Sequence, residues 1–321
     1  IKDCYFPWKY KSMSLKLVLN GDYSLATDIE ATANTQFSVN INVGAYSNGK
    51  ISVQLIQTVD GITCYSETAH FTIERPFTLI AKITDPQNDD NGVGIAKGIL
   101  KKPTEKTFKG QFDIEGVDVY RSGNDIRLGV KMNSISRSWD PGSNFFDHVV
   151  FFIFISDGDD DGCEYHPKNN YKLPDSFGKW DYMYQCNGWG SGYYSKEGAT
   201  ETSLGKAVTP APKNTPAVAW EKLSAEAGQD IVEKDLDWSD YSPEIGSVWE
   251  DKPGMIWFTI SAASIGYPKN IDGYKIYINN FDFDMGSPRG MIDGEPETWK
   301  FGTGSIPKDN CPAVVDETDS E

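Results

Sequence analysis

The sequence predicts an all-β protein, a small immunoglobulin-like sandwich followed by a large β-sandwich. Three observations predict it. Apolar and polar residues alternate with a period of two in several segments. Turn formers are dense, with 30 Gly and 17 Pro in 321 residues. Helical periodicity is confined to short stretches such as Trp220 to Ala227. Period-two alternation marks half-buried strands because successive side chains point to opposite faces.

Taken in order, Leu15-Lys16-Leu17-Val18-Leu19 is a first strand closed by Asn20-Gly21. Phe37 to Val43 alternates, and Ile51 to Ile56 nearly repeats it after Ser47-Asn48-Gly49. His70 to Glu74 is a further strand. Asn-Gly between two such runs marks a hairpin. These strands make a sandwich of about 70 residues, immunoglobulin-like in size, over 1–76, with its boundary at Arg75-Pro76. Beyond it, Gly116 to Tyr120 turns at Ser122 to Asp125 into Ile126 to Met132. His148 to Ile155 is apolar on both faces, as a central buried strand is. Met255 to Ile260 and Tyr274 to Ile278 complete a large sandwich over 77–310. Residues 311–321, which end in Asp316-Glu317-Thr318-Asp319-Ser320-Glu321, read as a solvated acidic tail.

Thirty Lys and Arg against 47 Asp and Glu leave a net charge of −17. A nucleic-acid binder needs a clustered basic surface, and a protein drawn to anionic lipid needs a similar one. Neither class fits. The longest apolar run, Val149 to Ile155, is far short of the ~20 residues of a membrane helix, so no membrane insertion is expected. The chain begins at Ile1, which reads as a mature form or a fragment with any leader out of view. Of the five Cys, Cys4 with Cys64 and Cys163 with Cys186 are candidate disulfides within the two predicted domains, and Cys311 is left over. The alternative is five reduced thiols. No C-x-x-C occurs, and the pairing points to an oxidising, extracellular or cell-surface location.

The sharpest local motif is Asp157-Gly158-Asp159-Asp160-Asp161-Gly162. Carboxylates at Asp157, Asp159 and Asp161 followed by Gly162 match the first half of a calcium loop, whose alternate residues point inward at the ion. Gly162 would permit the sharp turn. The twelfth position is Lys168, so this is no EF-hand. Asp85-Pro86-Gln87-Asn88-Asp89-Asp90-Asn91-Gly92 is a second acidic loop, with Asp85, Asp89 and Asp90 as candidate Ca²⁺ ligands. Phe281 to Gly286 is a third.

Sugars bind through aromatic faces flanked by polar side chains. Gly188 to Tyr194 reads as an open loop carrying Trp189, Tyr193 and Tyr194. Trp139 and the pair Trp238 and Tyr241 lie in two further aromatic-polar loops. His166 reads as exposed. With 47 acids, some glycosidase-like carboxylate pair always looks available, so that pattern selects nothing. No G-x-S-x-G, H-E-x-x-H or P-loop is present.

The acidic loops, taken with later motifs, resemble the C-terminal glucodextranase-like domain. That domain is related to the DOMON and family-nine carbohydrate-binding β-sandwiches. The resemblance runs through Asp85-Pro86, Asp89-Asp90-Asn91-Gly92, Phe112-Asp113-Ile114, Ile153 to Asp157, Trp180-Asp181-Tyr182, Gly188-Trp189, Ile265 to Pro268, Pro288-Arg289-Gly290 and Trp299 to Gly302. It covers roughly 77–304, leaves 1–76 outside, and adds Asp113 to the candidate metal ligands. Residues 95–108 and the pair Cys163 and Cys186 depart from it. The resemblance implies a secreted, DOMON-like, calcium-stabilised accessory sandwich. Its partners would be a polysaccharide, an α-glucan, and an upstream catalytic domain. Two other readings stand beside it: a cell-surface adhesion or assembly module, and a glycosidase in its own right.

Overall fold

A computed structural model describes residues 13–29, 40–41, 43–44, 46–105, 108–135, 149–187, 191–208, 217–220, 254–284, 287–288 and 291–318. The chain forms two compact units, Ile1–Arg75 and Pro76–Glu321. The strand expected at Phe37 to Val43 falls mostly outside the described residues, as does the helical stretch after Trp220.

In the first unit the described residues form one antiparallel sheet. Its strands are β1 (Met13–Leu19), β2 (Asp22–Asp28), β3 (Gly49–Val59), β4 (Ile62–Tyr65) and β5 (Ala69–Ile73). The order is β2-β1-β3-β4, with β5 also on β3. Leu15, Leu17, Leu19, Ile51 and Leu55 turn to a buried face. The second sheet of a sandwich is not among the described residues.

The second unit carries β6 (Thr78–Thr84), β7 (Ile114–Ser122), β8 (Asp125–Met132), β9 (Val149–Ser156), β10 (Tyr165–His166), β11 (Tyr171–Lys172) and β12 (Tyr182–Cys186). Then follow β13 (Ser191–Thr200), β14 (Ser203–Ala207), β15 (Ala217–Trp220), β16 (Gly254–Ile260), β17 (Lys275–Asp284), β18 (Ser287–Pro288) and β19 (Asp316–Glu317). One sheet runs β15-β16-β8-β7-β6 and the other β14-β13-β12-β9-β17-β18, with β19 on β17. Every residue of β9 is buried, as its unbroken apolar run requires of a strand paired on both sides and covered on both faces.

The two sheets pack face to face. Phe151 and Tyr184 of the larger sheet meet Phe258 of the smaller at centroid distances of 5.2 and 6.0 Å. The other face of the larger sheet is covered by the long connection between β9 and β12. There His166 lies 4.3 Å from Phe152 and 5.1 Å from Phe154, ring to ring. His166 is wholly buried, which corrects its expected exposure. Trp180 is buried in the same layer and donates to Tyr165 O at 2.8 Å, a framework role.

Residues 311–318 are not a solvated tail. Cys311, Val314, Val315, Asp316 and Thr318 are buried, and β19 joins the larger sheet. The charge pattern misleads here because Val314 and Val315 insert into the core and draw Asp316 in with them.

The expected Cys163–Cys186 disulfide is also corrected, and both remain thiols. Cys163 bridges to Trp180, whereas Cys186 sits at the far end of β12 opposite Phe151. The extended chain from Trp180 to Cys186 spans about 20 Å at ~3.3 Å per residue. A disulfide needs Cα atoms within about 7 Å. Cys64 is an exposed thiol, and Cys4 lies outside the described residues.

Candidate functional site

The C-terminal strand decides where the acids gather. β19 pairs with β17 through Asn279 with Glu317 and Asn280 with Asp316. Gly92 N donates to Val315 O at 2.9 Å, which fastens the 85–92 loop to the same segment. One carboxylate oxygen from each of Asp85, Asp89 and Asp316 lies within 4.8 Å of the others, with Asp85 and Asp316 buried. Asp316 Oδ2 accepts Ile114 N at 2.7 Å. Burial, with Asp89 and Asp85 beside it, pushes the Asp316 carboxyl up to about 9, against the lowering effect of that amide. Carboxylates this close resist joint ionisation unless a cation stands between them.

Asp90 and Asp113, also expected as ligands, flank this cluster. Asp113 accepts Asn88 N with both oxygens, at 2.9 and 3.0 Å. Burial first, then Asp90 and Asp89, pushes its carboxyl up to about 6. Asp90 is buried and paired with Lys102.

Asn280 adds a neutral oxygen. It is wholly buried, its Nδ2 donates to Phe112 O at 2.6 Å, and its Oδ1 has no partner. Register partners share a face of the sheet, so Asn280 and Asp316 stand on the same side. Ca²⁺ takes roughly six to eight such hard oxygens, carboxylate and amide alike. These residues fit Ca²⁺.

The Asp157–Gly162 loop is built differently. Among the described residues, Asp157, Asp159 and Asp161 do not converge as a ligand group. Lys196 Nζ stands between two carboxylates, paired with Asp161 and 2.7 Å from the buried Asp181. Lys179 lies 3.2 Å from Asp160. Asp157 N donates to Asp181 Oδ2 at 2.8 Å, and Asp159 N to Asp157 Oδ1 at 3.0 Å. Lysine ammonium groups of the chain itself therefore pair with Asp160 and Asp161, while Asp157 takes the backbone amide of Asp159. Gly162 is needed for close approach rather than for the turn. A Cβ there would lie 2.6 Å from Trp180 O, and the positive φ of 94° belongs to Gly158.

Of the aromatic candidates, Trp189, Trp139, Trp238 and Tyr241 lie outside the described residues. Residues 191–194 open β13 instead of forming an irregular loop, so Tyr193 and Tyr194 point to opposite faces. Tyr193 turns inward. It stacks on Tyr184 at 4.3 Å and donates to Thr259 O at 3.0 Å, so its expected sugar contact is corrected to a core role. Tyr194 turns outward and lines a cavity of about 330 Å³ on the outer face of the larger sheet.

A two-sheet antiparallel sandwich with a cavity on one outer face and an acid cluster at its C-terminal strand has the architecture of an all-β binding module. The family of the C-terminal, SLH-like binding module of glucodextranase matches residues 80–319, and the chain belongs to it. No curated protein matches the chain. The matched region is a non-catalytic, carbohydrate-binding sandwich. No described helix is long and apolar enough to cross a membrane.

The match reaches residue 319 and so includes the β19 segment that the sequence reading set aside as tail. Asp316 is the site residue that reading missed. The one signal that could have found it is Val314-Val315, an apolar pair directly before the acids.

Proposed function

We propose that the chain is a non-catalytic accessory region of a secreted polysaccharide-acting enzyme, that its large sandwich binds α-glucan, and that Ca²⁺ at Asp85, Asp89 and Asp316 stabilises it. Family membership across residues 80–319 carries the binding role. The convergence of three carboxylate oxygens within 4.8 Å supports the metal. In this reading the ion would cross-link the 85–92 loop to β19. The chain's own residues hold the rest in place: Ile114 N on Asp316, Asn88 N on Asp113, and Lys102 on Asp90.

Affinity electrophoresis against starch, dextran and pullulan tests the glucan reading. Retardation by at least one is expected, and free migration on all three would overturn it. The SLH-like character of the family favours a second reading, attachment to a cell surface. Cell-wall sedimentation that soluble glucan does not compete away would support that reading.

A further inference from the structure

The cavity beside Tyr194 has a composition unlike the rest of the chain. Phe152 of β9, Gln185 of β12 and Gly192 of β13 form one rung across three strands, and all three line it. Tyr194 stands on the next rung of the same face. Among the described residues no Asp or Glu lines this cavity, in a chain of net charge −17, and Lys168 is its one charged lining residue.

The Tyr194 ring is seated by a glycine. A Cβ on Gly192 would lie 3.0 Å from Tyr194 Cε2 and 3.0 Å from its hydroxyl oxygen. A methyl group there would push the ring a few tenths of an ångström off that strand.

The opposite wall is a held loop. Asn169 Nδ2 donates to Pro167 O at 2.8 Å and meets His166 Nδ1 at 2.7 Å, while Asn169 O accepts Ala313 N at 3.1 Å. Lys168 N donates to Glu201 O at 2.7 Å. Lys168 and Asn170 on either side of Asn169 have φ of 65° and 49°. Side chains avoid that region at a cost of order 1 kcal/mol each, and it persists only where the surroundings enforce it. Asn169 is buried, and its Oδ1 has no partner, which proteins rarely tolerate.

Phe152, Phe281, Leu204 and Tyr194 give the cavity apolar surface beside the polar Gln185 and Lys168, and a small-ligand site likewise combines apolar surface with a few placed polar groups. The volume is at the small end of the usual range of roughly 300–1,000 Å³, which suits a chain end better than a long groove. A lysine and planar amides without a carboxylate suit hydroxyl and carboxylate groups. They give a protonated amino sugar no counter-charge.

We propose that this cavity is a carbohydrate subsite for a single terminal pyranose ring, neutral or acid-bearing, with Tyr194 as the stacking face and Gln185 and Lys168 reaching its polar groups. It rests on the carbohydrate-binding reading above.

Calorimetric titration of the full chain with maltose, glucuronic acid and glucosamine, and affinity electrophoresis with the retarding glucan, test it. Tyr194→Ala and Gln185→Ala are expected to weaken binding about tenfold with an unchanged melting temperature. Tyr194→Phe keeps the ring and is expected to bind within about threefold of the native chain. Gly192→Ala lifts the ring and is expected to fall between them. Glucosamine is expected not to bind. Lys168→Ala separates the sources of the ring, since it weakens an acid-bearing ring far more than a neutral one. Folded variants that bind glucan as well as the native chain would overturn the subsite and leave the glucan reading standing. A native chain that binds no carbohydrate would overturn both.

Discussion

Asp316 accepts the backbone amide of Ile114 at 2.7 Å across 202 residues of sequence. The contact closes the second unit, because it ties the last strand to the first residue of β7 and brings the Asp316 carboxylate to Asp85 and Asp89. Two of those three acids are buried, so their mutual repulsion is poorly screened by water.

The proposed calcium at this cluster would have a direct thermal consequence. A ligand that binds only the folded state raises stability by mass action, about 2.7 kcal/mol at a hundredfold excess over Kd. Chelation is therefore expected to lower the melting temperature of the native chain, and added calcium to restore it. Asp316→Asn removes the ionisable ligand and keeps the shape. It is expected to abolish the calcium response while leaving the chelated protein as stable as the native chain or more so. Scanning calorimetry with and without chelator checks both, and an undiminished calcium response in the variant would place the ion elsewhere.

The pH dependence of the metal-free protein follows from the same carboxyls. Asp316 is pushed up to about 9 and Asp113 to about 6, whereas both titrate near 4 when unfolded. The folded state then holds more protons than the unfolded one between pH 4 and 9, so stability falls as pH rises through that window. The fall is expected to be steepest between about pH 4 and 6, where both groups contribute. Chemical denaturation at stepped pH in chelator should show it, and saturating calcium should flatten it.

His166 works on the acid side. Burial holds its imidazole down to about 3, against about 6.5 in the unfolded chain. Here the unfolded state binds more protons, so stability is lost as pH falls from 6.5 towards 3, by about 3–5 kcal/mol over the window. His166→Gln is expected to flatten this slope. It should also lower stability at neutral pH, because the ring packs on Phe152 and Phe154. Equal slopes in the two proteins would assign the acid loss to other groups.

The thiols give a chemical test of the strand layout. Cys64 is exposed, while burial pushes the Cys186 thiol up to about 12. Thiolate is the reactive form. Iodoacetamide on the native chain is expected to label Cys64 readily and Cys186 only after unfolding. A reductant should leave the melting temperature unchanged. A mass difference of two hydrogens between oxidised and reduced peptides holding Cys163 and Cys186 would contradict the layout.

The sequence by itself determined the all-β class and the central strand. Alternation and an apolar run are local patterns, and a strand exposes its two faces residue by residue, as Val149 to Ile155 shows. It also determined the 85–92 loop, since Asp, Asn and Gly crowd there within one turn. Only the tertiary structure decided which acids meet. Asp157, Asp159 and Asp161 are neighbours in sequence but take separate partners: Lys196 pairs with Asp161, and Asp157 N donates to Asp181, contacts that no local motif contains. Asp316 joins Asp85 because β19 adds to β17, a pairing set by core burial of Val314 and Val315 rather than by the charges around it. The register of β13 likewise divides Tyr193 from Tyr194, one into the core and one onto the cavity. A one-residue shift would exchange them, because side chains alternate strictly across a sheet.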